Sequence, residues 1–238
     1  MKTLVFDIYG DLGHFKKFYT TSSPLTFSFP PPPTVRGMLG AIIGASKDNY
    51  LEVFSHEKCK LAIRILSPIS KIRMGLNHIN TKGNYWIPIK KGTHEARTQI
   101  RTEFVKNPAY RIYISHNDNK VFDKLVENIM AHKTVFTLSL GLSELLADFR
   151  FISVKEFIRR EKGQVEITTV IPMNMIEDYG VNFEQGKKYF KEKIAVEMTE
   201  ERVVERYEDV LFEVQGKPIQ ASIDYCWEDE NGECIIFF

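Results

Sequence analysis

Tyr9-Gly10-Asp11-Leu12-Gly13-His14-Phe15-Lys16-Lys17-Phe18-Tyr19, and then Phe29-Pro30-Pro31-Pro32-Pro33-Thr34-Val35-Arg36-Gly37-Met38-Leu39-Gly40-Ala41-Ile42-Ile43-Gly44, decide how this chain is read. Leu4 to Tyr9 is rich in β-branched and aromatic residues and predicts a strand. It runs into a loop whose glycines, Gly10 and Gly13, permit backbone with φ > 0. The four prolines cannot lie in a helix interior or a central strand. Thr34 is the expected N-cap of a helix running to about Ser46. Val35, Met38, Leu39, Ile42 and Ile43 form one apolar stripe at helical spacing, and Gly37, Gly40, Ala41 and Gly44 form a bare face. Glycine costs up to ~1 kcal/mol in a helix interior, so that face is read as close packing on a sheet. Arg36, near the positive helix N-terminus, is the expected phosphate contact.

Working outward, Lys60 to Leu66 reads as a second strand, and Thr98–Val105 and Tyr110–Ser115 as a pair of strands joined by Lys106 to Ala109. Between them, about 70–108 is poorly periodic and basic, and is expected to project as a partly β insertion. Val121 to His132 has an amphipathic helical period, Val135 to Leu140 reads as a strand, and Phe149 to Phe157 as another. The order strand, helix, two strands, helix, strand is the βαββαβ plan of ferredoxin-like and RNA-recognition folds. The class is therefore α+β, with that domain over 1–157 and a small β-rich domain over 158–238. In the latter, Val165–Ile171 and Val203–Val214 suggest strands, a Lys- and Glu-rich stretch from about Glu184 to Glu201 suggests a helix, and Asn231-Gly232 suggests a type I′ hairpin.

Charge is unevenly divided along the 238 residues. Residues 1–110 hold 16 Lys and Arg against 7 Asp and Glu, a net of +9; residues 111–238 hold 16 against 24, a net of −8. The window 58–106 has 11 basic residues and only two acids, Glu95 and Glu103, and it also carries His78, Tyr85, Trp86 and His94. A basic half with planar side chains suits a polyanion whose bases are unstacked. The candidate RNA contacts are Gly13, His14, Lys16, Lys17, Tyr19, Arg36, Lys71, Arg73, His78, Lys82, Lys90, Lys91, Arg97 and Arg101. The acidic half reads as solvated surface or as the face for a basic protein neighbour.

Several classes fall away. No apolar run approaches the ~20 residues of a membrane span. Cys59, Cys226 and Cys234 form no Cys-x-x-Cys pair, which suits a reducing cytoplasm, and the six scattered histidines have no metal-ligand spacing. Cys226 and Cys234 flank a turn and can face each other across a hairpin, but two small half-buried residues is the simpler reading. Nucleotide-binding and hydrolase motifs are missing from the sequence, and neither cofactor nor metal is expected. A metal-independent ribonuclease needs only a base, an acid and a cation, and His14, Lys17, Tyr19, His78 and His94 have that chemistry. Nothing in their spacing selects a triad, so binding is the expectation and ribonuclease activity the alternative.

The glycine loop with its proline-led helix, together with Leu140-Gly141-Leu142-Ser143-Glu144-Leu145-Leu146-Ala147, resembles one family. It is the fifth family of CRISPR-associated proteins, a RAMP-superfamily subunit in its type I-B form. The resemblance implies a ferredoxin-like domain with a β-hairpin thumb, falling inside about Lys71 to Arg101, and no catalysis. It implies a subunit of the antiviral Cascade hetero-oligomer that caps the 5′ handle of the guide crRNA. Its protein partners would be the backbone subunit and the large subunit, with no membrane involved. The handle surface would include Gly10 to Lys17, Tyr19 and Arg36. The type I-C branch cuts precursor crRNA with a Tyr, Lys and His site containing an adjacent Lys-His pair. That dipeptide is missing here; His132-Lys133 is the reverse order.

Overall fold

The computed structural model describes residues 1–79 and 97–238. Along the chain lie strands β1 (Lys2–Tyr9) and β2 (Leu12–Gly13), helices α1 (Pro32–Ile43) and α2 (Tyr50–Val53), then β3 (Cys59–Ile65), β4 (Ser70–Ile79), β5 (Arg97–Lys106), β6 (Ala109–His116) and helix α3 (Asn119–Met130). There follow β7 (Asp148–Ile167), β8 (Ile171–Pro172), β9 (Ile176–Val181), β10 (Tyr189–Met198), β11 (Val204–Glu213), β12 (Ile219–Asp229) and β13 (Cys234–Ile235). The largest sheet has the order β3-β6-β1-β7-β13-β12-β9, with a further β7–β12 pairing; β10-β11-β8 and β2-β5-β4 form two smaller sheets. The fold is mixed α+β, with few helices around one large sheet. None of the described helices is long and apolar enough to cross a membrane.

β7 joins the two halves. Its residues 148–156 pair with β1 and its residues 157–167 pair with β12, both antiparallel. The expected division at 157/158 thus falls inside one continuous strand. Leu4, Phe6 and Ile8 of β1 and the α1 stripe share a core with Ile194, Val196, Val210, Phe212 and Phe238 from the later half. Phe29, just before the prolines, meets Phe212 edge-on at 5.4 Å.

The apolar stripe of α1 is buried as its spacing requires, but the helix begins earlier than expected. Pro31, not Thr34, is the N-cap, and Pro32 and Pro33 occupy the first turn. Their missing N–H groups are among the four a helix leaves unsatisfied anyway, and their fixed φ is already helical. The glycine face meets α2 and Val135 rather than a sheet: a Cβ on Gly40 would lie 2.9 Å from Tyr50 Cβ, and one on Gly44 2.9 Å from Val135 Cγ1. For α3, Asp118 caps Lys120 N–H, and Phe122, Leu125 and Ile129 point into the core.

Four further expectations are corrected. Val135 to Leu140 is not a strand; both Val135 and Phe136 N–H bond to the Ala41 carbonyl at the end of α1, leaving only an isolated Ser139–Leu146 bridge. The Lys- and Glu-rich stretch is β10, paired with β11 along its length, because Ile194 and Val196 must reach the core and Lys191 finds Asp209 at 2.9 Å. Tertiary burial outweighs helix propensity there. β5 and β6, adjacent in sequence, lie in different sheets. The Asn231-Gly232 hairpin forms, but of the two only Gly232 has positive φ, so the turn is not type I′.

Candidate nucleic-acid interface

β4 and β5 pair antiparallel through ten residues, from Ser70↔Lys106 to Ile79↔Arg97. Side chains alternate across a strand, so Lys71, Arg73, Arg97, Arg101 and Glu103 share one face. Ile72, Met74, Leu76, Ile100 and Phe104 share the other. The root of this hairpin is held by β2, whose Leu12 and Gly13 pair with Lys106 and Val105, and by Glu103 N–H donating to the Pro24 carbonyl at 2.9 Å. The 138–147 segment locks the glycine loop from outside: His14 N–H donates to the Leu140 carbonyl at 2.8 Å. Gly141 (φ +102) is needed for this, since a Cβ there would fall 1.8 Å from the His14 carbonyl oxygen.

At the root three positive charges are already paired. Lys17 Nζ donates to Glu192 Oε1 at 3.0 Å, Lys71 Nζ lies 3.9 Å from Glu103 and 4.0 Å from Glu192, and Arg73 Nε meets Glu103 at 3.2 Å. Lys71 also donates to the Thr26 carbonyl at 2.8 Å. Ser28 offers both its N–H and its hydroxyl to Glu192 at 3.4 Å. Burial opposes the charge on Lys17, but the Glu192 carboxylate and Tyr19 outweigh it and leave its pKa raised. For Lys71, burial wins over Glu192 and lowers the pKa. The outer hairpin differs. His78, Arg97 and Arg101 are exposed and have no ion pair among the described residues.

The expected contact residues therefore separate. Lys16 and Tyr19 are exposed beside the root, and Lys17, Lys71 and Arg73 are engaged as above. Gly13 is buried in β2. Two expectations are corrected. His14 is 4% exposed, its Nδ1 is 2.7 Å from the Glu103 carbonyl, and its ring lies on Phe104 at 5.6 Å. Arg36 is 3% exposed and donates to the Val196 carbonyl of β10 at 3.1 Å. It sits one turn into α1 but on the core side, where it ties the helix to the later half of the chain and cannot meet a surface phosphate. Lys82, Lys90 and Lys91, with Tyr85, Trp86 and His94, lie outside the described residues.

Sequence reading missed Glu192, Ser28, Phe18 and Tyr207. Glu192 is hidden in a stretch that reads as a helix. Phe18 and Tyr207 are far apart in sequence yet lie 4.9 Å apart, and Tyr19 meets Phe18 edge-on at 5.1 Å. The adjacency of two exposed aromatics at 18 and 19 was the available signal. Of the groups with ribonuclease chemistry, Lys17 and Tyr19 are neighbours, with the Nζ 5.8 Å from the ring, while His14 is turned inward.

Solved structures that share the fold include a chain of a "CRISPR RNA-guided surveillance complex", with TM-score 0.56 and 8% identity, covering 92% of this chain and 91% of that one. A CRISPR protein from Archaeoglobus fulgidus matches with TM-score 0.59 and 14% identity, covering 98% and 97%. A structure described as a Cas protein matches with TM-score 0.51 and 11% identity, covering 90% and 95%. No curated protein sequence matches the chain. The sequence profile of the CRISPR-associated protein (Cas_Cas5) family matches residues 3–214, and the chain belongs to that family.

Proposed function

We propose that this protein is a non-catalytic subunit of a type I CRISPR effector complex and caps the 5′ handle of the guide crRNA. Family membership supports a place in such a complex beside a backbone subunit and a large subunit. The observation that carries RNA binding is the β4–β5 hairpin, whose outer basic residues Arg97 and Arg101 are exposed and unpaired among the described residues. We read this hairpin as the thumb. The sequence order β1, α1, β3, β6, α3, β7 with spatial order β3-β6-β1-β7 supports a ferredoxin-like plan for the first half. Exposed Lys16 and Tyr19 supply further cationic and planar contacts of the kind single-stranded RNA takes.

The inward His14 and the pairing of Lys17 with Glu192 favour binding over chemistry, because a general base must reach the 2′-hydroxyl it deprotonates. Filter binding of handle-containing RNA at two salt concentrations tests the reading. Tighter binding than to unrelated RNA of equal length, with a clear salt slope, is expected. Equal affinity for both RNAs would sink handle recognition. Incubation with a repeat transcript in EDTA tests the non-catalytic part, and a discrete cut would overturn it.

A further inference from the structure

Phe18 is 51% exposed, Tyr19 60% and Tyr207 38%, and the Phe18 ring meets each of the other two. Single exposed aromatics are ordinary on a protein surface, but a contiguous trio drawn from two distant segments is informative. Phe18 is anchored from beneath by the buried Phe27 at 6.5 Å, which fixes the cluster without covering it. Lysines surround it: exposed Lys16 precedes it, Lys17 Nζ is 5.8 Å from the Tyr19 ring, and Lys193 Nζ is 5.7 Å from the Tyr207 ring. Lys17 is neutralised by Glu192, and Asp209 pairs with Lys191 although Lys193 stands opposite it, so Lys16 and Lys193 have no ion pair among the described residues. Along β11, Glu208 beside Tyr207 is paired with Arg206 and Asp209 with Lys191, which leaves Glu205 against Lys16 and Lys193 at the rim.

We propose that Phe18, Tyr19 and Tyr207 form a platform on which an unstacked base of single-stranded RNA lies, with Lys16 and Lys193 meeting the flanking phosphates. The proposal rests on the RNA-binding reading above and extends it to the β10–β11 sheet. Aromatic rings interleaved with free lysines suit a base and its phosphates, each base having a π-face whatever its sequence. A protein partner fits less well, because lysine is depleted in the cores of protein–protein interfaces. The platform also joins the glycine-loop segment to the later half of the chain, so both halves would contribute to one RNA path.

The test measures affinity of the full chain for a single-stranded ribo-oligonucleotide containing 2-aminopurine, and for an abasic oligonucleotide of equal length. Phe18→Ala and Tyr207→Ala should each weaken binding to the base-bearing strand about five- to hundredfold, with the salt slope unchanged. Tyr207→Phe should bind as the wild type does, which separates lost stacking from a disturbed fold. Lys193→Gln should lower the salt slope by about one. Tyr207→Ala should leave binding to the abasic strand unaltered. Wild-type affinity in both alanine variants would overturn the platform, as would an equal loss on the abasic strand. So would loss of a co-assembling protein subunit with RNA affinity intact, which would assign the patch to that subunit. If the wild-type chain binds no RNA, the proposed function fails with it; if it binds and the alanine variants match it, only the platform fails.

Discussion

The root and the outer part of the β4–β5 hairpin carry the same kinds of side chain under different physical conditions. At the root, Lys17 and Lys71 are largely buried against Glu192 and Glu103, whose side chains are each 11% exposed, while Arg73 reaches Glu103 from the exposed side. A cation taken that far from water needs a partner, so Glu192 of β10 holds Lys71 of the hairpin and Lys17 of the glycine-loop segment together. Farther out, Arg97 and Arg101 are exposed, have no ion pair among the described residues, and can exchange counterions for a phosphate backbone. The buried lysines at the root, Lys17 and Lys71, are structural, and positive charge along the outer hairpin is available for binding. Counting basic residues in the window 58–106 merges these two roles.

Arg36→Ala should show the largest effect on the structural side. It removes a buried guanidinium that ties α1 to β10, and should lower unfolding stability by about 2–4 kcal/mol in urea titration. The salt slope of RNA binding should stay as it was; a reduced slope would return Arg36 to the binding surface. Glu192→Ala should come next, leaving Lys17 and Lys71 without their shared carboxylate at a cost of about 1–3 kcal/mol. If that variant is as stable as the wild type, the root is no more structural than the outer hairpin.

Arg97→Ala and Arg101→Ala should sharpen the contrast from the other end. Each should alter stability by no more than about 0.5 kcal/mol, while lowering the slope of log affinity against log salt by about one. The smallest effect concerns His56, away from the hairpin, beside Arg206, Glu197, Lys60 and Arg36. Burial and then Arg206 hold its imidazole below the usual value of 6.5, with Glu197 opposing. The unfolded chain then takes up the proton first, so stability is present above the unfolded value and is lost as pH falls from there through the lowered folded value. Thermal unfolding of His56→Gln should show a shallower decline between about pH 7 and pH 5 than the wild type.

Much of the fold was readable because local pattern and tertiary demand agree. Val35 to Ile43 and Phe122 to Ile129 repeat at helical spacing, and both stripes are buried. β1, β3 and β11 are apolar enough to be recognised at nearly their true limits. Disagreement arose where one part of the chain serves another. Val135 and Phe136 have strand composition but spend their N–H groups on the end of α1. The stretch from about Glu184 to Glu201 has helix composition, yet Ile194 and Val196 complete a core begun by β1. In the candidate site, exposed Lys16 and Tyr19 were legible, while His14 and Arg36 look identical in sequence whether they face water or a backbone carbonyl.

The glycine loop returns the chain to the same division. From residue types alone come the loop, the proline-led helix, the basic hairpin segment and the family they mark, because each depends on neighbours within a few positions. Only the tertiary structure decides which charges are spent internally, that Gly141 must admit the His14 carbonyl, and that Tyr207 joins Phe18. Those outcomes depend on contacts between residues that are far apart in the chain, and the desolvation of a charge is set by everything packed around it.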